Sequence, residues 1–222
     1  IVSTGTTLNI GGSLATIAQA MTNMNVADMS CFVKATATYA ITATLTLPTV
    51  AGSGFYMPIR GYTSLRTDLG QATIQVSSGA IAIITASSNN GGRLENFILD
   101  GNSVAGTSGI SYSGYRVTFS NIKVLNCANE GITGAGVLAT FSQMEVTACA
   151  GTTYSVALTG EGIIFRHSWI HDNTKSGVNL SNRMSWFIGN IVSNNTGASS
   201  DGVTMNIESE CSGNTIYGNG RD

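Results

Sequence analysis

The sequence predicts an all-β, right-handed parallel β-helix of roughly eight coils, 22–25 residues each, with a short N-terminal capping helix. Three observations predict it. Phe119, Phe141, Phe165 and Phe187 stand 22, 24 and 22 residues apart, and Leu94 and Cys211 extend the series one period each way. Five residues after each comes a branched aliphatic (Leu99, Val124, Val146, Ile170, Val192, Ile216), and three further on come Asn102, Cys127, Cys149, Asn173, Asn195 and Asn219. Each period also holds three short β-rich runs and no helical one. A fixed period of this length marks one supersecondary unit stacked on copies of itself. The Leu-x-x-Leu-x-Leu signature of a leucine-rich repeat is absent, and so are the four strands per ~40 residues of a propeller.

Residues 1–29 read as a polar, Gly-rich lead-in followed by the capping helix. Ser13 can N-cap a helix over 13–24 in which Leu14, Ile17, Ala18 and Met21 form one apolar stripe. Such a helix would cover the unpaired end of a stack of coils. The β-helix occupies 30–222. Segments 31–35, 39–47, 55–61 and 72–76 are rich in Val, Ile, Thr and Tyr and read as strands. Pro48 with Ala51-Gly52-Ser53-Gly54 marks a loop, and Asn89-Asn90-Gly91-Gly92 marks a turn. The regular repeat runs from Arg93. In the coil that starts at Tyr115 the strands are 116–120, 122–125 and 131–135. Val117, Phe119, Ile122, Val124 and Ile132 then point inward, and Arg116, Thr118, Ser120 and Lys123 point outward. The last coil lacks its third strand, so the helix is expected to be truncated or to continue beyond residue 222.

Stacking places equivalent residues above one another. The phenylalanines Phe119, Phe141, Phe165 and Phe187 should form a ring-on-ring ladder in the core. Asn173, Asn195 and Asn219 should form an amide ladder at a turn, where asparagine also tolerates a left-handed backbone. Cys127 and Cys149 fall on neighbouring rungs, about 4.8 Å apart, with parallel side-chain vectors that favour two thiols over a bridge. Cys211 replaces a core Phe and is expected to be buried.

Composition narrows the function classes. Charged residues make up 10% of the chain and the net charge is −2, with no basic stripe, so no nucleic acid is expected as partner. No apolar run approaches the ~20 residues of a membrane span, so no membrane insertion is expected. The polar surface must be built from hydroxyls and amides, which suits secreted proteins, fibres and carbohydrate binders. The chain starts at Ile1, as a processed portion of something larger would.

The repeats Ile170-x-x-Asn173 and Gly177-Val178-x-Leu180 look like generic β-helix repeats. The segments Val33-Lys34-Ala35-Thr36-Ala37-Thr38-Tyr39 and Gly61-Tyr62-Thr63-Ser64-Leu65-Arg66-Thr67-Asp68 are similar to the opening coils of β-helix proteins of phage virions and secreted bacterial proteins. Over residues 30–219 the chain resembles the pectate-lyase-like superfamily, which includes pectate lyases, polygalacturonases and phage tailspikes. The resemblance implies a structural or receptor-binding module of a virion, in a tail fibre, tailspike or capsid-attached protein, possibly touching host glycans. It equally implies, as the competing class, a polysaccharide lyase or glycoside hydrolase, or a secreted carbohydrate-binding adhesin. The location implied is the virion or the extracellular space.

Catalytic signatures of that superfamily are absent. A calcium-dependent lyase clusters carboxylates beside an Arg or Lys base. Here the outward first-strand pairs are Arg93/Glu95, Thr118/Ser120, Thr140/Ser142, Ile164/Arg166, Trp186/Ile188 and Glu210/Ser212, with no carboxylates on adjacent coils. No Gly-His-Gly segment is present. No catalytic residue, metal ligand or cofactor is therefore assigned. Glu208 with Glu210, His167 with His171, and a polar cluster of Arg166, His167 and Asp172 are weaker candidates. The outward third-strand residues are plain hydroxyls and amides. The first and second strands expose Trp169, Trp186, Arg166, Ile188 and Ile191, the candidates for glycan or subunit contact. A homo-oligomer, favoured as a trimer, and a surface polysaccharide are the expected partners.

Overall fold

The computed structural model describes residues 7–10, 16–24, 30–48, 57–87, 91–197 and 201–220. The chain winds as an all-β parallel solenoid of about seven turns, roughly 24 residues each, with a short helix near its N-terminus. The count is one below that expected, since seven strands stack on the third wall. Each turn contributes to three walls. The first wall runs from Thr7–Ile10 through Ser30–Lys34 and Met57–Tyr62 to Glu210–Ser212. The second runs from Tyr39–Ile41 and Ala72–Val76 to Thr215–Tyr217. The long strands Gly92–Asp100, Thr118–Leu125 and Thr140–Thr147 bend through both, which joins these walls into one sheet. The third wall stacks separately, from Leu45–Thr46 to Val203–Met205.

Single residues with left-handed backbones make the corners. Before the first wall they are Gly91, Arg116, Leu138, Gly162, Met184 and Glu208; between the first and second walls, Asn96, Asn121, Gln143, His167, Gly189 and Gly213. After the second wall they are Asn126, Ala148, Asp172, Asn194 and Gly218. Successive corners along a turn are five residues apart on both of these walls. The return over the third wall takes 12 residues from Asn126 to Leu138 and 14 from Ala148 to Gly162. All variation in coil length therefore sits there. It comes in a step of two, which leaves the inside-outside alternation intact.

The register places Phe119, Phe141, Phe165 and Phe187 on consecutive rungs, with Leu94 below and Cys211 above. Adjacent ring centroids lie 5.0, 5.5 and 5.8 Å apart, the first two pairs stacked and the third tilted by 33°. Tyr112 meets Phe119 and Phe141 edge-on and donates its hydroxyl to the Val137 carbonyl at 2.7 Å. The amide ladder forms as well. Asn173 Nδ2 donates to Asn195 Oδ1 and Asn195 Nδ2 to Asn219 Oδ1, both at 2.9 Å. The same oxygens accept the backbone N–H groups of Asn173 and Asn195, so each amide closes the turn below it. A second ladder links Ser168, Asn190 and Asn214. The small residues that open the third-wall strands are forced by contact. A Cβ on Gly131 would lie 2.6 Å from Val146 Cγ1, and one on Gly177 2.6 Å from Val192 Cγ1.

Several elements differ from expectation. The helix is Ile17–Asn23, N-capped by Thr16, whose Oγ1 accepts the Gln19 N–H at 3.1 Å. Ser13 and Leu14 lie outside the described residues. Ile17, Ala20, Met21 and Met24 pack into the core, whereas Ala18 is exposed, so the stripe is rotated by about half a turn of chain from the one expected. Thr7–Ile10, within the segment read as lead-in, already pairs with Ser30–Lys34. The strand expected over 39–47 is broken between Tyr39–Ile41 and Leu45–Thr46, because the chain turns from the second wall to the third there. Ala82–Ala86 is a third-wall strand that the spacing did not reveal. Cys127 and Cys149 are buried free thiols, and contact with Cys149 together with burial raises the Cys127 pKa. Cys211 holds the Phe register on the last described rung of the first wall, where no ring stacks over it, and is exposed rather than buried.

Candidate functional site

Outward residues stand in columns fixed by the register. On the second wall Lys123, Glu145, Trp169 and Ile191 follow one another on consecutive rungs. Thr147, His171 and Ser193 form the next column. Lys123 Nζ lies 2.8 Å from Glu145 Oε1, and His171 Nε2 approaches the same oxygen at 3.3 Å. His171 Nδ1 lies 2.7 Å from Asp172 Oδ2. An imidazole carrying both ring protons donates to both carboxylates. Partial burial opposes ionisation of Glu145, but the Lys123 ammonium and His171 outweigh it and hold the carboxyl below its usual pKa. Asp172 is lowered by its hydrogen bond from His171.

Trp169 lies over this network. Its indole stacks on the His171 ring, centroids 3.7 Å apart, and its Nε1–H donates to Ser193 Oγ at 3.3 Å. One indole face is thereby covered while the side chain remains 44% exposed. Trp169 lines a cleft of about 490 Å³ with Gln71, Asn121, Lys123, Gln143, Glu145, His167 and Ile191.

The other border is the loop after Met57–Tyr62. Asp68 folds this loop on itself by accepting the backbone N–H groups of Leu65, Ser64, Thr63 and Gly70. Those bonds, led by Leu65, drive its carboxyl far below the usual range. Gln71 Nε2 donates to the Asn121 carbonyl at 3.0 Å, and Asn121 Nδ2 donates to the Leu69 carbonyl at 3.3 Å and to Asn96 Oδ1 at 2.9 Å. The loop therefore rests on the corner row between the first and second walls. Beyond it lies a second cleft, with Phe32, Arg60, Arg66, Arg93 and Glu95 on its sides. Both clefts border Asn121 and Gln143, so they form one groove divided by the loop.

The candidate contact residues do not form one platform. Trp169 and Ile191 are register partners on the second wall, both exposed. Trp186 is on the first wall, between Ile164 and Glu210, and Arg166 pairs with the half-buried Ile188. The corner row with His167 and Gly189 separates the two sets. The cluster of Arg166, His167 and Asp172 does not assemble, since Asp172 turns to His171 and the exposed His167 occupies a corner. Glu208 and Glu210 are not a matched pair. The first occupies a corner, and the second accepts from Ser212 Oγ at 2.7 Å. Among the described residues no group of three or more His, Cys, Asp or Glu could hold a metal ion. The Lys123–Glu145 pair was detectable as charges 22 residues apart, one coil length. The pairing of Glu95 with Arg60, 35 residues away across an irregular loop, carried no such signal.

No protein-family model, curated protein or solved structure matches the chain.

Proposed function

We propose that the chain is a structural, receptor-binding module of a phage virion or extracellular surface assembly, which holds a polysaccharide along the groove between its first two walls. The observation that carries this reading is the Trp169 indole, backed by His171, tied to Ser193 and open on its outer face. An aromatic face held in place is a low-entropy platform for the apolar face of a sugar ring. The amides and hydroxyls along the groove supply hydrogen bonds for its edges. On a glycan array, Trp169→Ala should lose the wild-type signal, while Thr133→Ala on the third wall should keep it. Equal binding by Trp169→Ala and wild type would sink the reading.

The module is proposed to act as a homo-oligomer, a trimer, through the first wall. Leu138, Met184 and Trp186 are exposed there on neighbouring turns, an apolar grouping that suits subunit contact. Light scattering should give three times the chain mass, reduced to one by Trp186→Glu.

A polysaccharide lyase or hydrolase is the second reading, favoured by the carboxylates of Glu145 and Asp172 beside the groove. Both are held ionised by their neighbours, which fits poorly with a general acid for a glycosidic oxygen. Release of reducing ends or unsaturated uronate from a bound polymer would establish this reading over simple binding.

A further inference from the structure

We infer that the cleft lined by Phe32, Arg60, Arg66 and Arg93 is a subsite for an anionic substituent, a carboxylate or a sulfate, carried by a polysaccharide that also reaches Trp169. The inference rests on the groove reading above and adds the charge of the ligand. Three of the ten Lys and Arg side chains of a sparsely charged chain meet in this one cleft. Glu95, only 6% exposed, lies between two of them. It accepts from Arg60 Nε and pairs with Arg93 Nη2, while Ser120 Oγ donates to it at 3.3 Å. A buried carboxylate so placed fixes the orientation of two guanidinium groups and leaves the Arg60 Nη groups and Arg93 Nη1 for a ligand. Asp68, the other acid of the cleft, is engaged by the N–H groups of its own loop. Arg66 stands over the Phe32 ring at 5.3 Å and has no ion-pair partner among the described residues. The cleft thus holds three positive groups against two satisfied carboxylates. Guanidinium groups in fixed positions suit a carboxylate or sulfate, which each can grip through two oxygens.

Spacing makes the two ends one site. Arg60, Glu95, Ser120 and Ser142 are successive register partners, and Trp169 pairs with Glu145 of the strand that carries Ser142. The Arg cleft and Trp169 are therefore four rungs apart, about 19 Å along the solenoid. A short run of sugar rings would span them, with the acidic ring at the Arg end.

Affinity electrophoresis in gels containing hyaluronate, its carboxyl-reduced form, dextran sulfate or neutral dextran tests the inference. Wild type should be retarded by hyaluronate or dextran sulfate, and which one identifies the anion. Arg66→Ala should bind that polymer about tenfold more weakly, as loss of one charge-assisted contact predicts. Arg183→Ala, an exposed arginine outside the cleft, should bind as wild type does. Equal retardation by acidic and neutral polymers, unchanged in Arg66→Ala, would overturn the anionic subsite and leave the groove standing. Equal losses in Arg66→Ala and Arg183→Ala would also overturn it, by showing attraction to net charge alone. Passage through all four gels without retardation overturns the subsite; the glycan array decides the groove separately.

Discussion

The second and third walls enclose the same interior and present different exteriors. Inward, both alternate Val, Ile, Leu and aromatic side chains that are almost completely buried. Outward, the third wall carries Thr85, Ser111, Thr133, Ala157, Asn179 and Thr204 on consecutive rungs, with no ionisable group among them. The second wall carries Lys123, Glu145, Trp169 and Ile191 on its rungs, with His171 in the column beside them. The third wall shows that a column of short polar side chains satisfies the fold. The departures from that pattern on the second wall are therefore not required for folding, which makes them the place to look for recognition.

Substitutions of the shared interior should affect both walls equally. Phe141→Ala removes the middle of the stacked ladder and should cost about 3–5 kcal/mol in denaturant titration. Asn195→Ala should cost about 2 kcal/mol, since it deprives the buried Asn173 N–H and Ile170 carbonyl of their partners. The walls should then separate. Trp169→Ala should cost about 1 kcal/mol of stability and abolish glycan binding, whereas Thr133→Ala should change stability by less than about 0.5 kcal/mol and leave binding intact. If Thr133→Ala reduces binding as much, the distinction between the walls fails.

Acid should separate them as well. Glu145 and Asp172 have lowered pKa values in the folded chain, so the stability they contribute is complete above the ordinary carboxyl range. It is lost as pH falls through their folded values, from roughly pH 5 downward. Glu145→Gln should flatten the acid side of a plot of melting temperature against pH; an unchanged slope would remove the electrostatic part of the contrast. The smallest effect concerns neither wall. Met184 is an exposed side chain at a left-handed corner, and Met184→Gly should gain about 0.5 kcal/mol from relief of backbone strain, net of the added entropy of the unfolded chain.

Much of the interior was legible because stacking turns sequence period into spatial contact. The Phe ladder, the Asn ladder and the outward third-wall residues all followed from adding 22 or 24 to a residue number. Legibility fell where the period failed. The break within 39–47 and the strand Ala82–Ala86 lie in coils whose length is altered by the loop that ends at Gln71. The same loop brings Arg60 and Arg66 to Glu95 and Phe32, so the Arg cleft was hidden with it. Trp169, Trp186, Arg166, Ile188 and Ile191 were identified as outward-facing, but their division between two walls depends on the corner at His167, which no repeat position announces. His171 was read as a strand-turn histidine, and only the register shows that Glu145 is its neighbour.

The corners also bear on how the chain folds. Each rung hydrogen-bonds only to the rung before and the rung after it, at sequence separations close to one coil. Assembly can therefore start at any adjacent pair of turns and spread outward like a zipper, each added turn closing a loop of similar length and similar entropic cost. The fixed five-residue edges make those steps nearly identical. Refolding speed should then be governed by formation of the starting pair, with the phenylalanine turns from 118 to 188 as its natural place.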